Sequence, residues 1–146
     1  MNHQFSTREQ IIETVNRLFV YTDYRKWDQL LNEVFAPEVF FDVSSLGGGP
    51  AEKIAASAIT KMWQEGLAGL DAIHHQSGNF LIETDGIEAT VFAYAIASHY
   101  KKEAKNGHVR EFIGSYDLHL VKTENGWRID QFKYNLKYTD GNMALN

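Results

Sequence analysis

The hydrophobic period of this chain changes once, at His74. Before it, apolar residues recur at helical spacing; from His75 on, they recur at every second position. Helices first and strands afterwards make an α+β arrangement. The strand half divides at turn signals, Asp85-Gly86, Asn106-Gly107 and Glu124-Asn125-Gly126. The expected strands are His75–Glu83, Ala89 to about Lys102, His108–Thr123 and Trp127–Tyr138, a four-stranded antiparallel meander. Gly114 falls in the middle of a strand and permits a sharp bend or bulge. A long, bent sheet wrapped round a helix makes a cone with an interior pocket.

The strand from Ala89 to Tyr100 has two unlike faces. Phe92, Tyr94, Ile96 and Tyr100 make one that is bulky and expected to fill space. Val91, Ala93, Ala95 and Ala97 make the other, which is nearly bare and ends in His99. Either a helix packs very close to the alanines or they border a cavity. A titratable group at the end of that face favours the cavity, with Ala93, Ala95 and Ala97 as its thin wall.

Three helices precede the strands. Ser6-Thr7-Arg8-Glu9 is a capping box. Ile11, Val15, Leu18 and Phe19 give the following helix one apolar face, widened by Ile12 and Tyr21, as far as about Tyr24. Trp27–Val34 is a second helix, with Trp27, Leu30, Leu31 and Val34 on one side and Pro37 as its stop. Val39–Val43 is then a short strand, and Ser44–Gly49 a flexible loop ending in consecutive glycines. Pro50 suits the first position of a third helix, Ala51–Leu67, buried through Ile54, Ala58, Ile59, Met62 and Trp63. Trp27, Trp63 and Trp127 are core or helix–sheet packing residues.

At 146 residues the chain is expected to form one domain over 1–146. A domain of that size buries roughly 70% of its unfolded surface, enough for a core and a pocket. A net charge of −5 argues against nucleic acid as the partner. The basic cluster Lys101–Lys105 is interrupted by Glu103 and reads as a solvated hairpin end. With no cysteine there is no disulfide, thiolate or Cys-based metal site, which fits a cytoplasmic location. Met1–Ser6 lacks the pattern of a signal peptide, and no run approaches about 20 apolar residues, so no membrane partner is expected.

Several segments stand in a telling order: Thr22-Asp23-Tyr24-Arg25-Lys26-Trp27-Asp28-Gln29-Leu30, Leu31-Asn32-Glu33-Val34-Phe35-Ala36-Pro37-Glu38-Val39, His75 opening a strand, Glu124-Asn125-Gly126-Trp127-Arg128-Ile129, and Asp140-Gly141-Asn142. From about Gln10 to Asn142 the chain resembles the NTF2-like superfamily, and within it the SnoaL-like branch that includes scytalone dehydratase. The resemblance implies a cone of three N-terminal helices on a strongly curved antiparallel sheet. Asp23, His75 and His99 match that dehydratase's helix aspartate and its two pocket histidines. Tyr116 stands in place of its pocket asparagine, and Thr22 and Val43 in place of its two pocket tyrosines. The Asp-His-His trio is thus present while the groups that hold that family's substrate are replaced. The aspartate base of the superfamily's ketosteroid isomerases also matches Val43. Asp42 is one residue earlier, on the opposite strand face.

A histidine exchanges protons near neutral pH, and a carboxylate beside it fixes its tautomer and steadies its charged form. His75 and His99 are therefore either an acid/base pair or core and rim histidines satisfied by backbone. Asp23 is either the orienter of a histidine, a water-exposed helix end, or the cap of the Trp27 helix. Tyr116 is either a phenolic donor or a wall aromatic. Phe41, Met62, Trp63 and Phe112 are candidates for the pocket wall. His74, His108 and His119 carry no assigned chemistry. No metal is expected, since nothing in the spacing of His75, His99 and Asp23 demands one.

Two functions follow as expectations. The first is a cofactor-independent lyase or dehydratase, cyclase or isomerase, acting on a small apolar molecule, cyclic or polyketide-like. His75 would be its acid/base group, Asp23 the orienter, His99 a second proton carrier or hydrogen-bond donor, and Tyr116 a substrate positioner. The alternative is a non-catalytic ligand-binding or subunit-assembly domain. Both include a homodimer through the open sheet face, whose outward residues would be Val109, Ile113, Val121, Trp127 and Ile129, depending on register.

Overall fold

The structure is a computed structural model and describes residues 4–146. Met1–His3, the start of the stretch read above for a signal peptide, lie outside the described residues. The first helix, α1 (Thr7–Asp23), opens on the expected capping box: Ser6 Oγ accepts from the Glu9 amide at 3.1 Å, and the Glu9 carboxylate accepts from the Ser6 amide at 3.0 Å. Its inward face is Ile11, Thr14, Val15, Leu18, Phe19 and Thr22, all buried. Arg25 ends it with φ 56° and donates to the carbonyls of Leu67 (3.2 Å) and Leu70 (2.7 Å). That clamp holds the end of α1 against the chain leaving the third helix.

The second helix is a single turn, α2 (Trp27–Gln29), continued by a wide π turn over Leu30–Val34 that buries Leu30 and Val34. Strand β1 (Phe35–Asp42) follows at once and contains Pro37. Proline cannot donate to a ladder, and the pairing of β1 with its neighbour shifts register between Phe35 and Phe40, around Pro37.

The expected helix Ala51–Leu67 is shorter. Glu52–Ala55 forms an edge strand, β2, antiparallel to Glu38–Phe41, and α3 spans Ala56–Gly66. Pairing with the open edge of β1 satisfies this backbone and leaves Ile54 against the core. Pro50 therefore precedes a strand, not a helix.

The four later strands form as a meander: β3 (Ala72–Thr84), β4 (Glu88–Tyr100), β5 (Val109–Thr123) and β6 (Gly126–Gly141). The sheet has six strands in the order β2-β1-β6-β5-β4-β3. It is mixed, because β1 lies parallel to β6 while every other pair is antiparallel. Bulges bend it. The register shifts at Gly78/Leu81 in β3, beside Asn79 at φ 57°, and at Ile113/Gly114 and His119/Leu120 between β5 and β6. At Gly114 a Cβ would lie 2.3 Å from the Asn135 carbonyl oxygen, so close backbone approach excludes a side chain there. At the other shift Asp130 is the extra residue, and its carboxylate contacts His119 Nδ1 at 2.6 Å.

The concave face of β4 is the sparse one: Val91, Ala93, Ala95, Ala97 and His99 are all buried. The bulky face does not fill the core as expected; Tyr94, Ile96 and Tyr100 are exposed on the convex side. Small β4 side chains leave room for Phe19 of α1, Tyr116 of β5 and Phe132 of β6, which interlock edge to face. Trp127 and Ile129 also turn inward, correcting their expected place on the outer face.

Candidate active site

A cavity of about 310 Å³ lies between α1, α3 and the concave sheet. Its wall is mostly apolar, with Phe19, Trp63, Phe112 and Phe132 among its aromatic residues. Of the residues expected there, Thr22, Val43, Met62, Trp63, His75, His99, Phe112 and Tyr116 line it. Phe41 does not. It lies one layer behind, stacked on Phe132 at 5.2 Å and tilted against Trp63 at 6.4 Å. Ala97 is the one alanine of the thin β4 face that reaches the cavity.

Asp23 sits just behind the wall, at the last turn of α1. Both of its carboxylate oxygens go to His75. Oδ2 accepts from the His75 backbone amide at 3.0 Å, and Oδ1 contacts ring Nδ1 at 2.6 Å. Neither side chain is more than 11% exposed. The helix-cap alternative is ruled out: Lys26 is the N-cap of α2, and no side chain caps that helix. Because the carboxylate can only accept, Nδ1 carries the proton and Nε2 is left with its lone pair. Phe19 stacks on the imidazole with centroids 5.2 Å apart and holds the ring plane.

His99 comes from β4, one strand further on, and is equally enclosed. Its partner is Arg110 of β5, whose Nε donates to His99 Nδ1 at 3.0 Å. Burial, and then the adjacent guanidinium, push the His99 pKa down to about 4. Tyr116 is buried, and burial raises its pKa well above the ordinary phenol value, so its hydroxyl keeps its proton. The Thr22 hydroxyl is committed to the Leu18 carbonyl at 2.7 Å, back-bonding within its own helix.

Sequence reasoning missed Phe19 as the stacking partner of His75, and also Tyr134 and Phe132. The last two follow the Asp130 bulge, which moves the inward face of β6 from Trp127 and Ile129 to Phe132 and Tyr134. The Tyr134 hydroxyl is buried beside Gly114 without a hydrogen-bond partner, and burial pushes its pKa up to about 12. Among the described residues, no group of three or more His, Cys, Asp or Glu gathers as metal ligands. No described helix is long and apolar enough to cross a membrane.

Helices closing the mouth of a curved sheet over an apolar cavity define the NTF2-like class of fold. Within it the chain belongs to the SnoaL-like domain family, whose model matches residues 3–133. No curated protein sequence matches the chain. Among solved structures, the Kfla4162 protein of Kribbella flavida is similar at 25% identity and TM-score 0.89, over 95% of each chain. A candidate scytalone dehydratase from Novosphingobium aromaticivorans is similar at 15% identity and TM-score 0.78, over 90% of this chain and 84% of its own. The LinA-type3 hexachlorocyclohexane dehydrochlorinase of Novosphingobium barchaimii has 11% identity and TM-score 0.75, over 94% of this chain and 90% of its own. At such identities the last two share the fold.

Proposed function

We propose that this protein is a cofactor-independent lyase, or a related cyclase or isomerase, acting on a small apolar carbonyl compound held in the cavity. The observation that carries this reading is the twofold engagement of His75 by Asp23. It leaves one basic nitrogen in an apolar cleft, with a carboxylate behind to steady the imidazolium formed when that nitrogen takes a proton. His75 Nε2 removes a proton from the carbon next to the carbonyl. The C–H pair becomes a carbon–carbon double bond, and the carbonyl oxygen gains negative charge that a His99 N–H and the Tyr116 hydroxyl stabilise. Loss of a β-hydroxyl, protonated from His75 as it leaves, completes a dehydration. Return of the proton to a different carbon completes an isomerisation. The likeness to a dehydratase and to a dehydrochlorinase, both named for eliminations, supports the first outcome.

The test is a thermal-shift and native mass spectrometry screen of cyclic ketones and β-hydroxyketones, followed by NMR detection of solvent deuterium entering the α-carbon. A binder that exchanges with wild type and not with His75→Ala supports the reading. A binder whose affinity ignores both His75→Ala and Asp23→Asn overturns it.

A second reading, a ligand-binding or assembly domain, draws on the convex sheet face. There Leu81 is 69% exposed, and Tyr94 and Ile96 are 42% and 43% exposed. An apolar face of this kind suits a homodimer through the sheet, and dimerisation is part of both readings.

A further inference from the structure

The two cavity histidines are held by partners of opposite kind. His75 Nδ1 faces a carboxylate, which can only accept. His99 Nδ1 faces the Arg110 guanidinium, which can only donate. We propose that Arg110 is a positioning residue: by donating to Nδ1 it fixes His99 as the neutral tautomer with its proton on Nε2, so that His75 supplies a proton acceptor and His99 a permanent donor. This deepens the reading given above and rests on it.

The geometry supports the assignment at each step. Arg110 is paired with His99 across β4 and β5, so their side chains leave neighbouring strands at the same level. The guanidinium is fixed from behind, since its Nη1 donates to the Met143 carbonyl at 3.2 Å and its Cζ lies 5.9 Å from the Phe112 ring centre. Phe112 also tilts against the His99 imidazole at 5.4 Å, so one aromatic side chain packs on both partners. Arginine does not give up its proton in a protein. A proton on His99 Nδ1 would therefore set N–H against N–H at 3.0 Å. The charged and titratable groups that act on His99 are Arg110 from β5, His75 from β3 and Asp23 from α1. The first two disfavour an imidazolium and only Asp23 favours it. A neutral donor has a use that an ionisable one lacks: it hydrogen-bonds a developing oxyanion without first having to be charged, and it does not compete with His75 for the abstracted proton.

The experiment needs no substrate. Long-range proton–nitrogen correlation spectra of protein labelled at histidine report, for each ring, which nitrogen carries the proton. In wild type at pH 6, His99 should show a protonated Nε2 and a bare Nδ1, and should stay neutral until near pH 4. Arg110→Met should remove that bias, giving mixed tautomers and an upward shift of the His99 titration, while the His75 spectrum stays put. Arg110→Gln, which keeps a donor and removes the charge, should retain the tautomer and raise the titration midpoint. If Arg110→Met unfolds, Arg110→Gln alone decides. A wild-type His99 with its proton on Nδ1, or charged at pH 6, overturns the proposal, as does a variant spectrum unchanged in both tautomer and midpoint. Failure of the enzymatic reading appears elsewhere, as ligands or turnover that ignore His75→Ala, and leaves these spectra unaffected.

Discussion

The Asp23 carboxylate bridges the backbone amide and the ring Nδ1 of His75, at 3.0 Å and 2.6 Å. One contact fixes where β3 passes the end of α1; the other fixes which ring nitrogen carries the proton. Packing and chemistry therefore meet in one side chain, and its substitution should report on both.

Asp23→Asn keeps the volume and one acceptor but can present an amide N–H to Nδ1, favouring the wrong tautomer. On a substrate found by the screen, turnover should fall about 10³- to 10⁴-fold, the scale seen when a histidine's orienting carboxylate is neutralised. Chemical denaturation should show a loss of about 1–3 kcal/mol, the usual cost of disturbing a buried charge-assisted contact. Full turnover in this variant would remove the base from the mechanism.

Stability should fall in weak acid through His99. Its pKa is about 4 when folded, against an ordinary 6.5 in the unfolded chain. Between those values the unfolded state binds more protons, so stability drops as pH falls from 6.5 toward 4 and this contribution levels off below. The shift corresponds to at most about 3 kcal/mol at 1.36 kcal/mol per unit. Urea unfolding at several pH values, in wild type and His99→Gln, checks the sign: the variant should have the shallower acid slope.

Gly114 and Tyr134 should respond in opposite directions. A methyl group on Gly114 would meet the Asn135 carbonyl oxygen at 2.3 Å and the Tyr134 hydroxyl at 2.6 Å. Gly114→Ala should therefore cost about 1–3 kcal/mol, as overpacking does. Tyr134→Phe removes a buried hydroxyl that has no partner and should be neutral or mildly stabilising. Thermal melts of the two variants are sufficient. A clear loss on Tyr134→Phe would mean that the hydroxyl is satisfied in solution.

Association through the convex face is expected to depend on apolar side chains. Leu81→Glu combined with Ile96→Glu leaves the concave core untouched and should convert a sedimenting dimer to a monomer with unchanged circular dichroism. A wild-type monomer at high micromolar concentration would exclude dimerisation through this face.

The sequence revealed most where a local rule and the tertiary fold agree. Ser6 and Glu9 announced α1, the glycine turns separated the strands, and the bare stripe ending in His99 lies on the inner face, although only Ala97 and His99 border the cavity while Ala93 and Ala95, expected in its wall, are buried in the core. It was least informative where the backbone departs from its own period. Glu52–Ala55 read as helix because the residues after it have a helical stripe; only the open edge of β1 makes it a strand. In β3 and β6, bulges at Asn79 and Asp130 shift the alternation by one, so Phe80, Ile82, Phe132 and Tyr134 face inward against the pattern set by earlier residues. Phe41 is one of four wall candidates that spacing alone does not separate, and Trp63 and Phe132 stand between it and the cavity. Arg110 left no signal, because nothing in a linear pattern joins it to His99 before β4 and β5 are paired.

The extra residue at Asp130 makes the count of β6 part of the site. Substitutions along this strand alter the cavity wall one position at a time. Drawing Asp130 into the regular ladder, with no residue bulged out, would act as a frameshift acts on codons: the side chains that follow, as far as the next bulge, would change sides, with Phe132 and Tyr134 sent to solvent and Lys133 and Asn135 brought in. The contact of Asp130 with His119 pins that count from the outer surface, so a pair remote from the cavity sets which side chains form its floor.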